Sequence, residues 1–407
     1  MDAHTARELA LGFDLTRLPP GFIDNPYPVF DALREHDPVH PMDGGGLFLT
    51  RYEDVLAVYR DARASSGKKE EFRPKFGDSP LYEHHTTSLV FNDPPLHTRV
   101  RRLMMGALNQ RAIARMEADV VALVERLLAQ LAERGEVDFI EDFASQIPVE
   151  VIGNLLGVPH SERGPLREWS LAILSGLEPA PSAQILDRGN RAVTEFLDYL
   201  RGLVAARRRA PGDAETDVLT RLIQGEQDGE RLTESELYHN CIFMLNAGHE
   251  TTTNLIGNGL WLLLTHPAEL ARLRGDPALI ASAVEEMLRH EGPIQLNNRR
   301  LTAPMDLGGR TWAAGTSITI SIGGANRDPA QFADPARFDV GRKPNRHVAF
   351  GQGDHACAGM NVARMEGRVA LGRLIARFPV IEPAGEPERD RRVRFRGFRR
   401  LPVRLAR

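Results

Sequence analysis

The chain has 407 residues, a formal net charge of −4, 42% hydrophobic residues and 26% charged ones. That length is ample for a buried core and an enclosed cavity, and so small a net charge gives no general argument for nucleic-acid binding. The two cysteines, Cys241 and Cys357, exclude a disulfide framework and a cysteine-rich zinc site.

The first residues, MDAHTARELALGFDL, carry no apolar run before a small-residue cleavage site, so no signal peptide is expected. No segment offers about twenty consecutive apolar residues, the length a bilayer span needs. A cytoplasmic location without membrane attachment is the expectation. GLFLTRY (46–52) reads as a strand, and 72–92 reads as a loop. Helical periodicity dominates from about 97 to 290. AIARMEADVVALVERLLAQLAERGE (112–136) carries an apolar stripe and ends on Gly135, where a C-cap belongs. ELARLRGDP and ALIASAVEEMLRHEGP follow the same logic, with Gly-Asp-Pro and Gly-Pro stops. IQLNNRRLT (294–302) and TSITISI (316–322) read as strands, and 323–356 as irregular, Pro-rich chain. The arginine-dense end, RRVRFRGFRRLPVRLAR, has Val393, Phe395, Val403 and Leu405 at strand spacing, which predicts a half-buried hairpin with a solvated basic face. The fold class expected is mainly α with a smaller β portion, one domain over 1–407. Its β-rich parts lie at approximately 40–60, 294–322 and 377–407, and its helical core at approximately 97–290 and 357–376.

The longest helix starts at a capping box, Thr233 with Glu236, and runs to Thr265 before His266-Pro267. Its roughly 32 residues would span about 48 Å. It is apolar nearly all round, which predicts a central, buried position. Yet AGHETTTN (247–254) sits inside it, and each of its polar residues is a moderate or poor choice for a buried helix interior. A local rule broken inside a core helix marks a functional site.

Cys357 lies in FGQGDHACAG (350–359), and CAGMNVARMEGRVALGRLIARF reads as a helix beginning there. Gly351 and Gly353 allow unusual backbone shapes and the close approach of a flat partner. A helix N-terminus favours thiolate over thiol. Such a thiolate is a nucleophile, with His355 as a nearby base, or a metal ligand. His355 and Cys357 alone cannot close a zinc site, but haem iron needs only an axial protein ligand. From these residues alone, both readings stand. Cys241, flanked by Asn240 and Ile242, reads as a buried small hydrophobe.

FGQGDHACAG resembles the cysteine-ligand loop of the cytochrome P450 family, F-G-x-G-x-H-x-C-x-G, at every fixed position. AGHETT (247–252) resembles the oxygen-activation segment of that family's long central helix, and EEMLR (285–289) contains its E-x-x-R. DPPLHTRVRR (93–102) and ANRDPAQFADPARFDVGR (325–342) extend the likeness over nearly the whole chain. The resemblance implies a single-domain cytochrome P450 fold of the bacterial, ferredoxin-dependent type, with a long central helix crossing a haem b.

It implies Cys357 as the axial ligand of the haem iron. Phe350, Gly351, Ala247 and Gly359 would lie against the haem or its sulfur ligand. His97, Arg101, Arg299 and His355 would meet the propionates, with Arg300 the rival of Arg299 because neighbouring strand residues face opposite ways. Thr251 and Glu250 are the implied catalytic pair, the hydroxyl bonding back to the Ala247 carbonyl and the carboxyl relaying protons. Thr252 and Thr253 are read as structural, and His249 as variable. Glu286 and Arg289 pair one helical turn apart, joined in the family by an arginine, here Arg337 with Arg342 as fallback.

The substrate-pocket residues expected are Phe243, Met244, Ala247, Leu89, Leu296, Gln295 and Phe398, with LAILSGLEP (171–179) helping to close it. That lining suits a mainly apolar small organic ligand, one of whose oxygens Asn246 or Gln295 would meet. Arg73, Lys75, His84 and His85 could attract an acid, but exposed loop charges are more often merely solvated, and that is the reading preferred. The implied reaction inserts one oxygen atom of O2, with electrons from NAD(P)H arriving through a ferredoxin ([2Fe-2S] or similar). Arg102, Arg111, Arg115, Lys343, Arg346 and Arg364 would form its basic docking face on a monomeric enzyme. A peroxide-driven peroxygenase is the close alternative, and a non-catalytic haem sensor the alternative of another class.

Overall fold

Thr233 and Glu236 do form a reciprocal capping box, and the helix they open runs Glu234–Thr265, 32 residues. It stops where His266 leaves the helical region (φ −129°, ψ 70°) before Pro267, since proline disfavours the helical conformation in the residue before it. The computed structural model describes residues 2–107, 110–214, 217–225 and 230–406, with the side chains at 107 and 110–112 left out. This central helix packs against Gln146–Leu156, Gly164–Ser175, Met360–Arg377 and Ile280–His290. Leu245, Ile256, Leu260 and Leu263 on it are fully buried in the largest apolar core. Burying one such side chain is worth about 1.5–3 kcal/mol, which outweighs the poor propensity of the polar insert. Gly248 has a packing role: a Cβ there would come within 2.6 Å of Ile152.

The β portion is small and lies beside this helical core. A five-stranded sheet carries Leu47–Leu49 parallel to Ser317–Ser321, which pairs antiparallel with Leu296–Leu301. The helix Gln110–Arg134 ends at Gly135, which has φ +75°. Three expectations need correction. Residues 72–92 contain helices, Lys69–Phe76 and Pro80–Thr87. Ser79 caps the second, accepting from Tyr82 N–H at 3.2 Å, with Pro80 in its first turn, the arrangement helix starts favour. In the span 40–60, Tyr52–Arg60 is helix rather than strand. The terminal hairpin does not form as expected: Pro402–Ala406 pairs with Glu136–Asp138 and Val380–Pro383, while Phe398–Arg400 pairs with Glu388–Arg389. The chain at 390–397 instead runs irregularly, joined to Ile294 by a single bridge at Phe395.

The basic tail is solvated only in part: Arg391, Arg399, Arg400 and Arg404 are exposed, but others turn inward. Arg396 and Arg389 pair with buried Glu291 at 2.5 and 3.0 Å, and Arg392 pairs with Glu250 and, at 2.5 Å, with Asp390. Among the described residues, no helix is long and apolar enough to cross a membrane.

Candidate active site

Phe350 and Cys357 close a tight loop in which Cys357 N–H donates to the Phe350 carbonyl at 2.9 Å. Gly353 permits it: its φ is +71°, and a Cβ there would lie 2.5 Å from the Tyr59 carbonyl oxygen. Cys357 precedes the helix Met360–Arg377 by three residues. Burial pushes its thiol pKa up, and the Gly359 N–H, Arg101 and Arg364 oppose that without overcoming it. The expected thiolate therefore needs a bound cation to form. The cysteine opens on a cavity of about 530 Å³ that also meets Phe350, Gly351 and Gly359.

Beside the cysteine, His97 and His355 stack with ring centroids 3.9 Å apart. Neither nitrogen of His97 has a hydrogen-bond partner, nor does His355 Nε2. Burial lowers both pKa values, that of His355 to about 3. Arg101 donates to the Ala356 carbonyl at 2.7 Å. Arg299 is buried, donating to the Asn298 carbonyl at 2.8 Å with its guanidinium over Tyr59. Arg300 faces out and pairs with Glu70 at 2.5 Å. Among the described residues, no carboxylate pairs with Arg101 or Arg299. Cations and unpartnered imidazoles buried together are costly. A dianionic flat cofactor would supply what this cluster lacks, and haem fits the residues present. Arg299 does not itself line the cavity, although Asn297 and Asn298 beside it do.

Across the cavity stands the polar insert of the central helix. Ala247, Gly248 and Thr251 are its solvent-accessible residues, and all three line the cavity. Thr251 Oγ1 donates to the Ala247 carbonyl at 2.6 Å. Glu250 turns away from the cavity: one oxygen pairs with Arg392, and Oε2 has no partner. Burial lowers the Arg392 pKa to about 10. Thr252, read as structural, faces the cavity and meets Glu366, whose carboxyl burial pushes up to about 8. Thr253 donates to the His249 carbonyl at 2.9 Å. His249 is buried outside the cavity lining, its pKa lowered to about 3 by burial.

Phe243, Met244, Leu89 and Leu296 line the cavity, as do Leu174, Leu177 and Pro179. Two pocket expectations fail. Gln295 points toward Gly323 and donates to the Gly292 carbonyl. Phe398 packs against Trp261 and under Arg389, and Phe395 lines the cavity in its place. Asn246 does line it. Its amide meets His84 Nε2 at 3.3 Å, and the remaining Asn246 Oδ1 and His84 Nδ1 have no partner. Whichever way the amide points, the pair leaves one donor and one acceptor unspent.

The E-x-x-R pair is a bidentate ion pair, Arg289 Nε and Nη2 each donating a hydrogen bond to Glu286 at 2.7 and 2.8 Å, both side chains fully buried. Its third member is Arg342, at 3.0 Å from Glu286. Arg337 is exposed and offers only its carbonyl, because strand-free chain at 333–342 turns its side chain outward. Arg289→Met is expected to destabilise the protein by about 3–5 kcal/mol, since it strands a buried carboxylate. A denaturation midpoint unchanged in that variant would remove the network from the structural core.

Sequence reasoning missed Arg392, Arg394, Phe395 and Glu366. The even spacing of Arg392, Arg394 and Arg396 was the available signal, one alternating face of an extended chain. The comparisons agree with this geometry. The sequence model of the Cytochrome P450 family matches residues 177–403. Cytochrome P450 107B1 of Saccharopolyspora erythraea is 39% identical, with 88% of each chain covered. The 6-deoxyerythronolide B hydroxylase of the same organism is 36% identical, over 93% of this chain and 96% of that one. A crystal structure of P450BioI in complex with hexadec-9Z-enoic acid ligated acyl carrier protein superposes with a TM-score of 0.89 at 34% identity, covering 94% of this chain and 99% of that one. A cysteine loop facing a hydroxyl-bearing central helix across one cavity, in a chain so matched along its length, belongs to the cytochrome P450 family, and its chemistry is that of a haem monooxygenase using dioxygen and NAD(P)H-derived electrons.

Proposed function

We propose that the enzyme inserts one oxygen atom into a C–H or C=C bond of a mainly apolar small organic substrate. The observation that carries this is the single cavity onto which Cys357 and Thr251 both open. Haem supplies dioxygen binding and activation. Cys357 would supply its protein ligand, shielded by Phe350 and tuned by the Gly359 N–H. His97, Arg101, Arg299 and His355 would meet its propionates. Phe243, Met244, Leu89 and Leu296 hold the substrate and exclude water. Thr251, its own hydrogen spent on Ala247, offers oxygen lone pairs to the cavity and orients the proton donor. Glu250 takes protons from the Arg392 side and passes them inward through its unpartnered oxygen. A spectral-shift screen of apolar compounds on the haem-loaded enzyme tests the reading. Absence of any low-to-high-spin shift, with no product formed, would defeat it.

Electrons arrive from a separate acidic ferredoxin on the side of the Cys357 loop. Arg115, Lys343 and Arg346 are exposed, as a docking face requires. Arg102 and Arg364 are less available, paired with Glu230 at 2.8 Å and Glu285 at 2.7 Å, and the Arg111 side chain lies outside the described residues. Raising ionic strength from about 0.05 to about 0.5 M is expected to slow reduction roughly tenfold, as is Arg115→Glu. Stopped-flow rates indifferent to both would refute the docking face.

A further inference from the structure

One wall of the cavity carries charge where the sequence reading preferred solvated loop charges over an acid-binding group. His84 and His85 are 2% exposed, and Lys75, on the helix Lys69–Phe76, lines the cavity with them. Lys75 Nζ donates to the Glu178 carbonyl at 2.7 Å and sits 5.2 Å over the Phe76 ring. Among the described residues no carboxylate lies within ion-pair distance of it. Arg394, from the C-terminal segment, lines the same cavity. Its guanidinium is spent on neutral acceptors: the carbonyls of Leu177 and Leu296, each at 3.2 Å, and Asn298 Oδ1 at 2.5 Å. His85 packs among Phe72, Phe76 and Phe91, and its Nε2 has no partner.

The two nearby carboxylates are fewer than the cations around them. Glu71 pairs with Lys68 at 2.5 Å, and Glu178 accepts through Oε2 from the backbone N–H groups of Val393 and Arg394 at 2.9 and 3.3 Å, its Oε1 having no hydrogen-bond partner. Burial first, and Arg394 next, lower the Lys75 pKa to about 8, Glu178 and Glu71 acting against them. His85 is held neutral by burial, with its pKa down at about 3. Two cations and an unspent imidazole nitrogen therefore face a largely apolar cavity with one anion too few. Cations buried without a partner are unfavourable, and a carboxylate is the group that satisfies lysine and arginine together.

We propose that the substrate is an apolar acid whose carboxylate is bound by Lys75 and Arg394, with His85 Nε2 donating the third hydrogen bond. Its apolar body lies along Leu89, Leu174, Phe243 and Leu296. This narrows the substrate class of the monooxygenase reading and rests on it. A carboxylate anchored at one end fixes which carbon is presented for oxidation.

The test compares acids with their neutral methyl esters on the haem-loaded protein by titration calorimetry. The probes span three body shapes: dodecanoic acid, an aryl-alkanoic acid and a steroid carboxylic acid, each with its ester. At least one acid is expected to bind about tenfold more tightly than its ester. Lys75→Gln should erase that preference and Lys75→Arg keep it. Arg394→Gln is the second variant, but it also loses three structural hydrogen bonds, so Lys75→Gln decides. Equal binding of acid and ester for every body, no binding by any acid, or a preference that survives Lys75→Gln would each overturn the proposal. The reduced carbon monoxide spectrum of the same samples reports the haem-thiolate reading separately. A normal spectrum with no acid preference sinks the acid clamp alone.

Discussion

Cys357→Ala is expected to abolish the red-shifted Soret band of the reduced carbon monoxide complex completely. The effect should be total because no other sulfur can substitute. Cys241 is the only other cysteine. It is fully buried in the central helix, outside the cavity lining, with its thiol pushed up to about 12 by burial. The Cys357 site itself is not a generic thiolate site. Burial outweighs the Gly359 N–H, Arg101 and Arg364, so a ligand thiolate here would be formed by coordination and not by the surrounding protein. Cys357→Ser should fail too, because a hydroxyl resists deprotonation more strongly and is a harder ligand. Cys241→Ala is the control, expected to keep the band. Difference spectroscopy checks all three, and a red-shifted band surviving in Cys357→Ala would sink the ligand assignment.

The parts of the site that were legible in the sequence are those fixed by local spacing. The capping box set one end of the central helix and His266-Pro267 the other. Four residues separate Thr251 from Ala247, so a hydroxyl-to-carbonyl bond follows from helix geometry alone. Strand alternation required Arg299 and Arg300 to face opposite ways, though burial had to decide which faced in. The residues that escaped notice depend on partners distant in sequence. Arg392, Arg394 and Arg396 alternate with Val393 and Phe395, and the usual preference sends arginine outward. Here the carboxylates of Glu250 and Glu291 are already committed to the interior by the helices that carry them, and each needs a cation. The tail therefore turns Arg392 and Arg396 inward to meet them and still buries Phe395. The even spacing of these arginines shows that they share a face but not that the face is buried. Arg342 replaced Arg337 for a similar reason: irregular chain between 333 and 342 has no period to read.

The same tail bears on the second large effect, that of Thr251→Ala. That variant is expected to keep haem and substrate binding, within about twofold of the parent, because the lost hydroxyl bonds only to the Ala247 carbonyl. Its coupling should collapse. General acid–base groups contribute about 10²–10⁴-fold, so product formed per NAD(P)H should fall by at least about tenfold, with hydrogen peroxide released in its place. Thr251→Ser, which keeps the hydroxyl, should restore most of the coupling. The neighbouring Thr252 and Glu366 cannot take over. Thr252 is engaged with Glu366, whose carboxyl is held neutral near pH 7 by burial, and neither is connected to the Glu250–Arg392 pair by any hydrogen bond among the described residues. Glu250→Gln should act differently from Thr251→Ala. It leaves Arg392 with Asp390 as its carboxylate partner while removing the proposed proton carrier, so it should slow turnover and raise the solvent isotope effect as well as the peroxide yield. Arg392→Met separates the two roles: the carboxyl remains, but nothing pins it. A slowed, still coupled enzyme there would make Arg392 a positioning residue for the proton carrier. Full coupling in Thr251→Ala, measured as product against NAD(P)H consumed, would refute the relay at its first member.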